Sequence, residues 1–252
     1  EHHVAARAVG IVMDVNTGGI VAMASYPNYD PGDFSTIYTE GLQAELDAAL
    51  AEIQQNRSTY ETEEAYNQAL ANARATIQFK QWRNKCYQDT YEPGSTFKII
   101  TLAMALEEGV VSESSSFYCG GSIPVLGRTD PVKCWKTAGH GSQTLTQAMQ
   151  HSCNVALVQI GQLVGARTFY KYAEAFGFLN LTNNVDSSLT AKTGIDLSGE
   201  SGSIWWSQNT FYDPENFSQL AAASFGQTFT ITPLQLITAV SACVNGGYLY
   251  QP

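Results

Sequence analysis

A serine and a lysine three residues apart, Ser95 and Lys98, stand at the start of an apolar run, and this pairing can build an activated nucleophile. The surrounding segment is Tyr91-Glu-Pro-Gly-Ser-Thr-Phe-Lys98. Pro93 and Gly94 break what precedes them, and the residues from Phe97 through Leu106 read as a helix stopped by Gly109. Residues three apart at such a start share one face. A serine hydroxyl attacks a carbonyl only if its proton is removed, and an amine removes it only where burial keeps the amine partly neutral. By itself the tetrapeptide reads first as a helix cap followed by a lysine whose head reaches solvent.

A second polar pair, Ser152 and Asn154, lies in Thr144-Leu-Thr-Gln-Ala-Met-Gln-His-Ser-Cys-Asn-Val-Ala156. The spacing predicts a junction between two helical stretches, within a segment running from Leu145 to Leu163, with the pair able to point into a cleft. Alone, such a pair would be a cap, because both residue types favour helix ends.

Composition narrows the function classes. The chain of 252 residues is 44% hydrophobic, enough for a buried core in one large domain or two small ones. A formal charge of −10 leaves no basic surface with which to displace counterions from a nucleic acid, so a nucleic-acid partner is excluded. With only 14% charged residues the surface must be rich in uncharged polar groups, which suits an extracytoplasmic protein. There is no apolar run of membrane-spanning length, and no basic-then-apolar leader opens at Glu1, His2, His3. Any signal or anchor is expected outside this stretch.

Along the chain, Ala8 to Ser25 reads as a hairpin turning at Asn16 to Gly19. Residues 43–81, rich in Ala, Glu, Gln and Leu, predict two helices in a surface insertion. Residues 112–141 predict loop with short strands, Ala166 to Phe176 a helix closed by Gly177, Asn183 to Trp206 a glycine-rich polar loop, and Gln219 to Phe225 a short helix. Leu234 to Val244 is a strong apolar helix that Asn245-Gly246-Gly247 stops.

The ordered set of motifs resembles the penicillin-binding proteins and serine β-lactamases, whose signatures are S-x-x-K, S-x-N and a Lys-Thr-Gly strand. Further wording agrees: Val12-Met-Asp-Val-Asn-Thr-Gly-Gly-Ile-Val-Ala-Met-Ala-Ser-Tyr-Pro27, Thr193-Gly-Ile-Asp-Leu-Ser-Gly-Glu200, and Ser224-Phe-Gly-Gln227 with Thr232-Pro-Leu-Gln235. The chain resembles the transpeptidase domain of a monofunctional, class B penicillin-binding protein of the division or sporulation type from a Gram-positive lineage. The resemblance covers nearly everything outside the insertion. It implies an α+β fold, an α/β/α sandwich with an antiparallel sheet, flanking helices and an all-helical subdomain. Lys192-Thr193-Gly194 spells the third signature but precedes Ser224-Phe-Gly-Gln227, and it is expected to be a decoy. The true triplet is expected after Pro252, on a complementary carboxy-terminal polypeptide.

The resemblance implies an acyl-enzyme on Ser95 formed from peptidoglycan stem peptides or from β-lactam antibiotics. Lys98 would serve as base, Ser152 as proton relay and Asn154 as orienting donor, with no cofactor and no metal. It also implies a membrane glycan polymerase as partner and an extracytoplasmic position, held by an amino-terminal membrane helix outside the chain. No residue resembles the glutamate that some β-lactamases use for deacylation, so a long-lived penicilloyl adduct is expected. Alternative readings are a protein that hydrolyses or senses β-lactams through a penicilloyl-serine, and a weakly catalytic scaffold. Tyr91, Trp135, His140 and Trp206 are cleft candidates, although core or loop packing is the more frequent role of such residues.

The five cysteines are Cys86, Cys119, Cys134, Cys153 and Cys243. Cys119 and Cys134 could form a disulfide, remain free, or join His140 in a zinc site for which no fourth ligand is evident. Cys153 and Cys243 read as buried thiols.

Overall fold

The computed structural model describes residues 7–180 and 191–252, so residues 183–190 of the expected polar loop lie outside the described residues. Two compact units emerge, one of Glu1–Gly10 with Met23–Cys86, the other of Ile11–Ala22 with Tyr87–Pro252.

The first unit contains the whole of 43–81. Helices α1 (Glu40–Gln55) and α2 (Glu63–Trp82) begin at Thr39 and Thr62, whose hydroxyls accept from the backbone N–H of Leu42 and Ala65. Their shared apolar face is thin, with Leu46 and Ile77 as its buried hydrophobic members, as the low hydrophobic content of the segment requires. Polar contacts make up the difference. Buried Gln81 accepts from Tyr38 N and donates to Thr36 O, both at 2.8 Å, and Trp82 donates to Phe34 O among the rings of Tyr29, Phe34 and Phe79.

Strands β1 (Ala8–Met13) and β2 (Ile20–Tyr26) form the expected hairpin. Asp14 closes its turn by accepting from Asn16 N through Oδ1 and from Gly18 N through its carbonyl. In the second unit, β3 (Ser116–Cys119) pairs with β6 (Gly141–Thr144) and β4 (Ser122–Ile123) with β5 (Val132–Lys133), both antiparallel. Among the described residues, the antiparallel sheet that the resemblance implies is represented by these two-stranded pieces. Mixed helices and small sheets give an α+β fold.

The core is helical. Helix α3 (Lys98–Glu107) packs against α5 (Asn154–Val164) and α9 (Pro233–Val244), and α5 buries all but four of its residues because its apolar stripe is broad. Helix α4 (Leu145–Gln150) and α9 open with reciprocal capping boxes, Thr144 with Gln147 and Thr232 with Gln235. Helices α6 (Ala166–Ala175) and α8 (Ser218–Ala223) match the sequence reading, while the four-residue α7 (Gln208–Phe211) is too short to leave a periodic signal. Phe97 is fully buried among Phe169, Phe178, Trp205 and Phe229, which anchors the chain immediately before Lys98.

Close backbone approach explains two glycines. Gly94 N donates to Gly226 O at 2.8 Å, and Gly226 has φ +82°. A Cβ on Gly226 would stand 2.1 Å from Gly94 O. Gly226→Ala is therefore expected to destabilise the fold by about 2–4 kcal/mol, read as a lowered urea midpoint, because both the φ angle and the contact must be relieved.

Candidate active site

Ser95 lies in a 3-10 turn over Gly94–Phe97 that runs directly into α3, and it is exposed. Lys98 is the first residue of α3 and only 1% exposed. The turn is held from below: Phe97 sits in the aromatic core, and Thr101 donates through Oγ1 to Ser224 O at 3.0 Å. From the side, Tyr91 exchanges two backbone hydrogen bonds with Ile231, at 3.0 and 3.1 Å. The Ser224-Phe-Gly-Gln227 segment thus buttresses the turn that presents Ser95.

Ser152 and Asn154 occupy the break between α4 and α5, where Ser152 adopts φ +47°, a left-handed conformation uncommon for a residue with a side chain. Such backbone persists where surrounding contacts over-determine it. Here Ser152 N donates to Met149 O at 2.9 Å, Trp135 Nε1 to His151 O at 2.8 Å, and Asn154 Nδ2 to Lys133 O at 3.3 Å.

The structure brings Lys98 into the same cluster. Its Nζ donates to Ser152 O at 2.8 Å, Ser152 Oγ at 2.9 Å and Asn154 Oδ1 at 2.7 Å. All three N–H directions of an ammonium are thereby occupied. Ser95 Oγ has no hydrogen-bond partner among the described residues, so the direct Ser95–Lys98 bond suggested by their spacing is not formed in this state. Burial brings the Lys98 amine down from 10.5 to about 8, against opposing contributions from the Cys153 and Cys134 sulfurs. At pH 7 about a tenth of such an amine is neutral, against about one in three thousand for an exposed lysine.

Neutral Nζ keeps two N–H groups and one lone pair. Two of its three contacts, Ser152 O and Asn154 Oδ1, are carbonyls that can only accept, and they fix the two N–H groups. The lone pair then faces the Ser152 hydroxyl, which can reverse its role and donate. In this geometry a proton can pass between Nζ and the Ser152 hydroxyl.

The remaining candidates separate. Trp135 is 66% exposed beside the Ser152 turn, while His140 stacks on His151 with centroids 4.9 Å apart. Trp206 packs in the aromatic core with Trp205, Phe211 and Phe229, and Tyr91 is exposed. Lys192-Thr193-Gly194 is in a loop, not a strand: Thr193 donates twice to Glu200 Oε1 at 2.7 Å, and Gly194 N donates to Oε2 at 3.1 Å. Lys192 and Thr193 line a small cavity with Phe176, Gly177, Gln235 and Tyr250, apart from the Lys98 cluster.

All five cysteines are free, so Cys119 and Cys134 are not bridged. Their sulfurs, His140 and the Cys153 sulfur all place a ligand-capable atom within 4.8 Å of one another. Cys153, read from sequence as a buried thiol, is the member that sequence reasoning missed. The signal was its place between Ser152 and Asn154, where any anchor would act on both.

No helix among the described residues is long and apolar enough to cross a membrane. Residues 8–252 match the model of the penicillin binding protein transpeptidase domain. The chain is 35% identical over 245 residues to stage V sporulation protein D of Bacillus subtilis, covering 97% of this chain and 29% of that protein. It is 27% identical over 251 residues to peptidoglycan D,D-transpeptidase MrdA of Escherichia coli, covering 98% of this chain and 34% of that one. The chain thus spans about a third of the length of the curated relatives it matches. Among solved structures, the D,D-transpeptidase domain from Eggerthella lenta aligns with TM-score 0.66 and 26% identity over 98% of this chain and 51% of that chain. The penicillin G acyl-enzyme of penicillin-binding protein A from M. tuberculosis aligns with TM-score 0.63 and 26% identity, over 97% and 47%. With the S-x-x-K turn, the S-x-N junction and their shared lysine all in place, the chain belongs to the penicillin-binding protein transpeptidase domain family.

Proposed function

We propose that the chain is the acyl-transfer domain of a serine D,D-transpeptidase that cross-links peptidoglycan stem peptides and is covalently inhibited by β-lactams. The observation that carries this reading is the buried Lys98 amine, held by Ser152 and Asn154 one helical turn from an exposed, unpartnered Ser95. Ser95 Oγ attacks the penultimate D-Ala carbonyl carbon, and its proton passes to neutral Lys98, directly or through the Ser152 hydroxyl. The tetrahedral intermediate collapses as the C–N bond breaks, and the proton returns through Ser152 to the departing D-Ala amine. An amine of a second stem then attacks the ester carbonyl, the C–O bond to Ser95 breaks as the new C–N bond forms, and the proton the amine gives up passes through the same relay to Ser95 Oγ. Asn154, by holding both Lys98 and the backbone at Lys133, keeps the relay in register.

Exposed apolar positions Val12 and Val21 of the hairpin and Ile99 and Leu106 of α3 are surfaces that further strands would cover. In this reading those strands, on a carboxy-terminal segment, carry the Lys-Thr-Gly motif and the second oxyanion donor. The domain works on the extracytoplasmic face of a membrane, anchored through an amino-terminal helix. There it receives nascent glycan from a membrane polymerase, and its relationship to stage V sporulation protein D points to a sporulation role.

The test is incubation of the full-length protein with penicillin G, followed by intact mass and peptide mapping. A stable adduct on the Ser95 peptide is expected. Rapid penicillin turnover would favour a hydrolase, and absence of any adduct would favour a scaffold. The acylation rate is further expected to rise with pH through about 8 and then level off, because only the neutral amine accepts the serine proton. A rate flat from pH 6 to 9 would remove Lys98 as the base.

A further inference from the structure

The geometry points to a structural zinc site built from Cys119, Cys134, His140 and Cys153, which ties the loop segments beside the active site to the turn carrying Ser152 and Asn154. Four separate elements supply the donors. Cys119 ends β3, Cys134 follows β5, His140 precedes β6, and Cys153 is the N-cap of α5. Nothing in chain proximity makes them converge; the β3–β6 ladder, whose register sets Cys119 opposite Gly141, does so together with the packing of α5.

The distances suit an ion. A tetrahedral zinc with bonds of about 2.3 Å to sulfur and about 2.05 Å to nitrogen sets sulfurs about 3.8 Å apart and sulfur about 3.6 Å from nitrogen. The Cys134 and Cys153 sulfurs are 3.9 Å apart, and Cys134 Sγ lies 3.6 Å from His140 Nδ1. A disulfide would need about 2.05 Å. Three sulfurs and one imidazole nitrogen are the donor set that selects zinc among abundant divalent ions, and a set of four protein ligands leaves no open position, as structural sites require.

The backbone is arranged for thiolates. Ala156 N donates to Cys153 Sγ at 3.5 Å. Cys119, Cys134 and Cys153 are buried. His140 is fixed in plane by stacking on His151 and by the edge of Trp135, whose Nε1 holds His151 O. The ion's role follows from position: Cys153 separates the two polar residues that grip Lys98, and the residue before it holds the φ of +47°. Fixing the Cys153 sulfur fixes that turn, independently of which acyl acceptor the domain serves.

The test uses the full-length protein, purified without chelator or metal-affinity resin. Metal analysis is expected to give about one zinc per chain. Cys86, Cys119, Cys134, Cys153 and Cys243, located by peptide mapping, should all react after denaturation in chelator. Exchange with Co2+ should produce a sulfur-to-cobalt charge-transfer band in the near ultraviolet and the visible bands of a tetrahedral site. The melting temperature should rise with added zinc and fall with chelator. Cys153→Ser should lose the zinc and weaken the charge-transfer band, whereas Cys243→Ser, outside the cluster, should change neither. These five thiols free, with no bound metal and no cobalt bands, would overturn the site. So would loss of reactivity at Cys134 and Cys153 with their peptides joined and lighter by two hydrogens, which would mean a Cys134–Cys153 disulfide instead.

Discussion

Alanine at position 95 is expected to abolish penicilloyl-adduct formation while leaving the fold intact. Ser95 is exposed, and its hydroxyl has no partner among the described residues, so truncation removes no packing and leaves no buried group unsatisfied. The change in melting temperature should therefore be within about 2 °C. Acylation should fall by at least about 10^4-fold, because the other hydroxyl of that turn, Thr96 Oγ1, is tied to Pro93 O at 2.6 Å. Intact mass after incubation with penicillin G is the measurement. An adduct retained by the Ser95→Ala protein would assign the nucleophile elsewhere, with Ser152 the first alternative to map.

Replacement of Lys98 by arginine carries the second large effect. The guanidinium keeps its proton at every accessible pH, so it holds the positive charge while removing the base. We expect the acylation rate to fall about 10^2- to 10^4-fold, the range for loss of a positioned proton acceptor, and the rise through about pH 8 to disappear. Arginine is bulkier than the buried site allows without adjustment, so Lys98→Met supplies the matching control for shape. Methionine fills the channel without a charge and should show the same loss of rate and the same flat pH profile. If either variant kept a pH-dependent rate near that of the parent, the proton would be going to another group.

The linkage sign for this lysine is fixed by the direction of its shift. Between about pH 8 and 10.5 the unfolded chain binds more protons at position 98 than the folded one, so this group's contribution to stability rises with pH across that window. Below about pH 8 both states are protonated and the cost of burying the charge is present in full. Burying this amine therefore costs the fold stability at neutral pH, and the hydrogen bonds from Nζ to Ser152 and Asn154 limit that cost.

Much of this was legible in order of local character. The hairpin turn at Asp14 to Gly19, the stop at Gly109, the break between α4 and α5 and the apolar α9 are set by turn chemistry, capping and periodicity, which act over a few residues. Short elements escaped: α7 has four residues, too few for a period to show. The two helices over residues 43–81 were readable, but their reliance on buried Gln81 was not, because its partners Thr36 and Tyr38 are more than forty residues away.

From the amino acids alone came the candidate groups, a serine and lysine at helical spacing and a second serine and asparagine at a helix break, together with an acidic surface unsuited to nucleic acid. Only the folded chain decided what those groups do to one another. Lys98 turned toward Ser152 and Asn154 rather than Ser95, because α3 and α5 pack side by side and leave the amine no route to water. Likewise the thiol at position 153 joined Cys119, Cys134 and His140 because strand register and helix packing, not sequence separation, set the distances between them. Residue type specifies which chemistry is available, and the exclusion of solvent by distant segments specifies which proton moves and where.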